Sequence, residues 1–318
     1  ISGILGVFRG YFQAYRNMLP TSISQIVEQI LNAVFSVYLA WILVKTSVEL
    51  GAAGGTAGTG IGALAGLVTL VVIFFTSRKG RMELFAEDKK DYRVETSREI
   101  TSNLFKIAIP VITGTAIFSM TNLIDMVMVN SRLAAIGTYT AEEIDALYGQ
   151  LTGKYVTLST MPVAISTALA TAVIPSIAGS VVRKEHELVQ AKVDTTLRLT
   201  MIISIPAAIG LGALGPQILQ MLFPNYSDGG MLIRVGSISV VFLALSQIST
   251  GVLQGVGKVN APAWNALWGS IAKIPVNYFL IAIPEINIIG AVISTTVCYI
   301  IASLLNFRAL IKATGVRP

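Results

Sequence analysis

Three kinds of residue are scarce in this chain of 318 residues: cysteine, histidine and charge. The single cysteine, Cys298, has no second thiol to pair with and lies in an apolar run, which excludes an internal disulfide and gives no redox motif. The single histidine, His186, falls in the polar stretch 183–187 and reads as a solvated loop residue rather than a metal ligand. Charged residues make up 13% of the chain, against about 25% in soluble domains. The one acid-rich stretch, 83–99, is interleaved with Lys89, Lys90, Arg93 and Arg98, the pattern of a solvated connection. No catalytic residue, metal site or cofactor is assigned. The net charge of +6 has no aromatic and basic interleaving beside it, so nucleic acid is not an expected partner.

What is present is apolar. The chain is 53% hydrophobic with a mean hydropathy of +0.71, more than a soluble core of this length can bury. The expected fold class is an all-α polytopic membrane protein with about eight transmembrane helices, because each apolar run approaches the 20 or so residues that cross a bilayer. The runs are 23–44, a small-residue stretch from 51 that continues through 67–75, then 107–129, 155–182, 197–223, 231–256, 261–283 and 286–310. Two capping boxes, Thr96 with Glu99 and Thr140 with Glu143, mark helix starts. Pro162, Pro175, Pro206 and Pro216 are expected to break the hydrogen-bond ladders of their helices. Gly60-Ile61-Gly62-Ala63-Leu64-Ala65 matches a dinucleotide fingerprint, but no strand pattern precedes it. Gly54, Gly58, Gly62 and Gly66 instead form a four-residue ridge of the kind that lets membrane helices approach closely.

Basic residues fix an orientation. With alternating sides, 18 of the 23 Lys and Arg fall in loops on one side, which the positive-inside rule makes cytoplasmic. A weak parallel repeat joins 9–13 and Pro20 to 250–254 and Pro262, a duplication typical of secondary transporters. Ile1 is not an initiator Met, residues 1–8 read as the tail of a helix under way, and the start has neither a basic n-region nor a cleavage site. The chain therefore reads as an internal fragment of a longer membrane protein.

Polar groups inside the apolar runs mark candidate sites, since a charge at a helix centre costs about 2.5–3.5 kcal/mol on insertion scales. In the first run Gln25, Glu28, Gln29, Asn32 and Ser36 recur at helical spacing as one polar stripe. Asn122 and Asp125 lie near the far end of the third run, Lys154 at the edge of the fourth, and Lys273 within the seventh beside Asn265 and Asn277.

The run Arg9-Gly10-Tyr11-Phe12-Gln13, then Asn17-Met18-Leu19-Pro20-Thr21 and Ser24-Gln25-Ile26-Val27-Glu28-Gln29-Ile30, resembles the polysaccharide-export branch of the MOP (multidrug/oligosaccharidyl-lipid/polysaccharide) superfamily, its SpoVB/YtgP (MurJ-like) members. Asn122-Leu123-Ile124-Asp125, Leu147-Tyr148-Gly149 and Gly251-Val252-Leu253-Gln254-Gly255 extend the likeness over essentially the whole chain. The resemblance implies a MATE-like, two-lobed transporter of about fourteen spans in the bacterial cytoplasmic membrane. This chain would run from the end of the fourth span to the twelfth. Residues 1–77 would close the first lobe, 78–103 would be a cytoplasmic inter-lobe linker, and 104–318 would form six spans of the second lobe. The implied activity is flipping of an undecaprenyl-pyrophosphate-linked, lipid II-like precursor by alternating access, with that sugar lipid and membrane lipids as partners.

On this reading Lys154, Lys273, Glu28, Gln25, Asn32, Arg9 and Arg16 are candidates for the substrate cavity, because an anionic headgroup crossing a low-dielectric layer needs cations. Arg9 and Arg16 read equally well as topology anchors and Glu28 as a helix lock; for Lys154 and Lys273 the cavity is the leading reading, and the alternatives are snorkelling to the interface and pairing with a helix carbonyl. Asp125 with Asn122 is the coupling-ion candidate, for sodium or a proton, although the seventh run carries no second acid. Alternatives are export of another lipid-linked repeat, a multidrug or cation antiporter of the same superfamily, a membrane-embedded sugar-lipid enzyme, and a structural scaffold.

Overall fold

The computed structural model describes residues 1–15, 17–77 and 96–315. Its helices are α1 (Ser2–Ala14), α2 (Leu19–Leu43), α3 (Val48–Thr76), α4 (Ser97–Ile136), α5 (Ala141–Gly149), α6 (Thr157–Val182), α7 (His186–Leu222), α8 (Gly230–Gly255), α9 (Asn260–Leu280) and α10 (Ile289–Thr314), with a π-helical segment, Gln150–Val156, joining α5 to α6. No strand occurs among the described residues. The fold divides into two compact units, Ile1–Val94 and Glu95–Pro318. Among the described residues seven helices are long and apolar enough to cross a membrane: α2, α3, α4, the continuous stretch Ala141–Val182, α7, α8 and α10. The remaining expected span, the seventh, is a helix, α9, that falls short of this apolarity, because Asn265, Ser270, Lys273 and Asn277 interrupt its 21 residues. Of the expected connection 78–103, residues 78–95 lie outside the described part.

In the first unit, Ser47 opens α3 by accepting a hydrogen bond from the Leu50 amide at 3.1 Å. Pro20 sits in the first turn of α2, where its missing N–H has no intrahelical partner to lose. The glycine ridge of α3 then meets α2 at backbone distance. A Cβ on Gly62 would lie 2.6 Å from the Glu28 carbonyl, one on Gly54 2.9 Å from that of Leu39, and one on Gly58 would overlap Ser36. Leu5, Phe12 and Leu70 form the small core under α1, where Phe8 and Tyr11 stack edge-on against Phe74.

The second unit is built around α8, which packs on α6, α7 and α10. Both capping boxes form, Thr96 with Glu99 at the start of α4 and Thr140 with Glu143 at the start of α5. Each proline removes its own ladder bond, but the helices are not interrupted: α6 runs through Pro162 and Pro175, and α7 through Pro206 and Pro216. Packed neighbours and local side-chain bonds compensate the lost ladder bonds in such helices. The glycines of α7 serve close approach instead, since a Cβ on Gly215 would lie 2.8 Å from Ile233 and one on Gly212 2.8 Å from Ser237 of α8. The π-helical segment turns Leu151 and Tyr155 into the core, where Tyr155 fills the space above Gly236 and bonds Ser239 at 2.8 Å.

Candidate functional site

The site of the second unit lies where α4, α9 and α10 meet. On α9, Ser270, Lys273 and Asn277 follow at steps of three and four, so all three project from one face. That face packs on α4, which presents Thr121 and Asp125 at the same spacing. Lys273 is 0% exposed and Asp125 9%. The Lys273 ammonium donates to Asp125 Oδ2 at 2.5 Å and reaches the Thr121 carbonyl at 3.4 Å. Asn277 Nδ2 donates to Asp125 Oδ1 at 2.9 Å, and Ser294 Oγ on α10 donates to Asn277 Oδ1. Thr121 and Ser270 share a hydroxyl bond at 2.9 Å. Three helices are thus tied by one connected polar network, in which the buried charges neutralise each other as burial demands.

Lys154 is separate from this network. Its ammonium donates to the carbonyls of Tyr226 at 2.5 Å and Asp228 at 2.8 Å, tying the π-helical segment to the loop between α7 and α8. Asn122, one residue away from Thr121 but on another face of α4, is exposed.

In the first unit, Arg9 of α1 pairs with Glu28 at 2.5 Å and with Ser24 at 3.2 Å. Ser24 passes the bond on to the Gly66 carbonyl at 3.1 Å, so α1, α2 and α3 are joined at one point. Arg9 Nε is buried with no hydrogen-bond partner. Asn32 accepts from Ser36 at 2.8 Å, and Ser36 also donates to the Gly55 carbonyl at 2.7 Å. Gln25 and Gln29 are exposed, so only the Glu28, Asn32 and Ser36 half of the stripe packs on α3. Arg16 lies outside the described residues.

Of the nine candidates, the structure joins Asp125 to Lys273 and Arg9 to Glu28. Lys273, a substrate-cavity candidate whose alternative was pairing with a helix carbonyl, meets both the Asp125 carboxylate at 2.5 Å and the Thr121 carbonyl at 3.4 Å. Asn277 and Ser294 complete the site; spacing on α9 pointed to Asn277, whereas nothing in the sequence singles out Ser294 among the many serines and threonines of the apolar runs. The donor set around Asp125 does not fit a metal ion. Both carboxylate oxygens already face donors, an ammonium and an amide N–H, and no group of three or more Cys, His, Asp or Glu is clustered among the described residues.

Solved MATE transporters have the same helical arrangement. A eukaryotic MATE transporter, AtDTX14, superposes with a TM-score of 0.72 at 18% identity, covering 96% of this chain and 65% of that one. A MATE in the bent conformation gives 0.68 at 16% identity, covering 98% and 66%. The fold is therefore that of the polytopic, all-helical MATE transporters, with seven helices among the described residues long and apolar enough to cross a membrane. Within that class, residues 1–317 match the family described as Lipid II flippase MurJ, and the chain belongs to it. Bacillus subtilis relatives include an uncharacterised membrane protein, YabM (27% identical over 308 residues, 96% of this chain and 56% of the relative). Stage V sporulation protein B is 24% identical (98% and 59%), and the Lipid II flippase MurJ 26% (98% and 58%). The chain thus spans just over half the length of these relatives.

Proposed function

We propose that the full-length protein moves an undecaprenyl-pyrophosphate-linked, lipid II-like sugar precursor across the cytoplasmic membrane by alternating access. The observation that carries this reading is the family match over residues 1–317. The site chemistry supports it: cationic side chains sit within apolar helices, where only a polar task or a structural pairing accounts for them. Lys273 and Asp125 are proposed to fasten α4 to α9 by a pairing that a proton on Asp125 would release. Arg9, Glu28 and Asn32 are proposed to line the first unit's polar face, with Gln25 at its margin. Lys154 is proposed to hold the α7 to α8 loop at the rim. Asn122 takes no part in the ion pair, and coupling to a proton through Asp125 fits the donor set better than coupling to sodium. A second reading, export of a different lipid-linked repeat, has a specific support, since the sporulation relative and the MurJ relative are almost equally similar to this chain.

The test is an inventory of undecaprenyl-linked intermediates, with their outer-leaflet exposure, in cells depleted of the full-length protein or carrying Lys273→Ala. Lipid II trapped on the inner leaflet is the expected result. Trapping of another sugar repeat moves the assignment to that repeat, and unchanged pools overturn the flippase reading.

A further inference from the structure

The second unit has a half-open cavity of about 290 Å³ between α4, α6, α8 and the start of α9. It lies apart from the ion pair. Val111 and Gly114 of α4 wall one side, Thr167 and Thr171 of α6 the other, and α8 contributes Gln247, Thr250 and Gln254. Gln247 and Gln254 are seven residues apart, two turns of one helix, so both carboxamides project from one face into the same space. Between them Gly251 lets α8 close on α6, because a Cβ there would lie 2.8 Å from that of Ala170.

The polar lining has a definite chemistry. No charged side chain lines the cavity among the described residues. Thr167 and Thr171 spend their hydroxyl protons on the carbonyls of Val163 at 3.2 Å and Thr167 at 2.9 Å, which leaves each an oxygen that accepts. Thr250 receives Asn306 Nδ2 at 3.2 Å and keeps its own proton to donate. The two half-buried carboxamides make no side-chain hydrogen bond within the described residues, and each offers two donors and an acceptor. Leaving an amide dry and unpaired costs about 1–3 kcal/mol on protein scales, so two of them on one membrane-helix face need water or a ligand. The volume is at the small end of ligand pockets, which run from about 300 to 1,000 Å³. It corresponds to about ten waters at about 30 Å³ each.

We propose that this cavity is a subsite for an uncharged, hydroxyl- and amide-bearing group, the size of a single sugar ring. An ionised phosphate finds no counter-charge here, and a bare acyl chain would leave both glutamines unpaired. Within the proposed flippase function, on which the identity of the physiological ligand rests, the subsite receives the sugar end of the lipid-linked substrate.

The experiment uses purified full-length protein in nanodiscs, with N-acetylglucosamine as the probe and saturation-transfer NMR as the readout. The wild-type protein is expected to bind it weakly and saturably. Gln247→Leu and Gln254→Leu are each expected to weaken binding about threefold to tenfold, the worth of one lost hydrogen bond. Gln220→Leu, on an exposed face of α7 away from the cavity, serves as the matched control and leaves binding unchanged. Should the leucine variants fail to fold, Gln247→Asn and Gln254→Asn shorten the same carboxamides, and weakened binding by these supports the proposal equally. Binding that is absent, or indifferent to both glutamines, overturns it, as does a Gln-sensitive signal from free decanoate rather than from the sugar. Binding that persists in a protein shown not to flip lipids keeps the subsite and removes only the flippase reading.

Discussion

Lys273 and Asp125 are separated by 148 residues in sequence and by 2.5 Å in space, and their ion pair fastens the 40-residue helix α4 to α9. Among the described residues α4 packs extensively on only α9 and α5, so much of its attachment runs through this contact. Removing one partner strands the other charge in a low-dielectric interior, which costs about 3–5 kcal/mol. Lys273→Met and Asp125→Asn are each expected to lower the thermal unfolding midpoint of the purified protein. The double variant Asp125→Asn/Lys273→Met is expected to recover much of the loss, because no lone charge remains. Simple addition of the two single effects would show that the residues do not act as a pair.

The same pairing makes a sodium prediction. Because an ammonium and an amide already face the two oxygens of Asp125, replacing sodium by choline at constant pH is expected to leave the proposed flipping by the full-length protein in proteoliposomes unchanged. A rate that falls as sodium is withdrawn, and is restored by adding it back, would show that the carboxylate takes a metal ion despite its donors.

The glycine ridge gives a comparison within one helix. Gly58→Ala places a methyl group against the Ser36 backbone, whereas Gly60→Ala, on the same helix, meets nothing within 4 Å. Overpacking of this kind costs about 1–3 kcal/mol, while replacing an unpacked helical glycine with alanine gains up to about 1 kcal/mol. Melting of the two variants should therefore move in opposite directions. Equal shifts would mean that α2 and α3 are not in contact along this ridge.

These cases also show where the sequence is legible. Length and hydropathy find nearly every helix, and Thr96-x-x-Glu99 and Thr140-x-x-Glu143 place two helix starts to the residue, because a capping box is a local interaction. Pro162 and Pro206 mislead, since the cost of a proline inside a helix is decided by its packed neighbours, and those come from elsewhere in the chain. Lys273 and Asp125 are each conspicuous as charges in apolar runs. Their partnership is a matter of register between α4 and α9 that no local pattern encodes. Gln25 and Glu28 share one sequence stripe, yet only Glu28 meets Arg9, because a stripe wider than the contact leaves one edge outside it. Ser294 carries no signal of its own, as serine in a membrane helix is common and its role depends on Asn277 standing opposite.

Lys154 supplies the last prediction. Its ammonium caps two carbonyls in the loop that follows α7, at Tyr226 and Asp228, and lies 5.8 Å from the Phe223 ring. The loop turns back into α8 through Gly229, whose φ of 97° suits glycine, and a Cβ there would lie 3.4 Å from the Gln150 side chain. The π-helical segment is anchored independently by buried Leu151 and by Tyr155 on Ser239. Lys154→Ala should therefore free the loop without unfolding the segment. A charge-assisted bond is worth about 1.5–3 kcal/mol when sheltered, and discounting it for the solvent at this half-exposed position leaves about 1 kcal/mol. Hydrogen exchange of the amides at 225–229 is then expected to quicken about fivefold, with those of 150–156 unchanged. Lys154→Arg, which keeps the charge and the reach, should restore most of the protection. Faster exchange in both stretches would mean that Lys154 supports the π-helical segment itself, and unchanged exchange in the loop would mean that its carbonyls are held by something other than this ammonium.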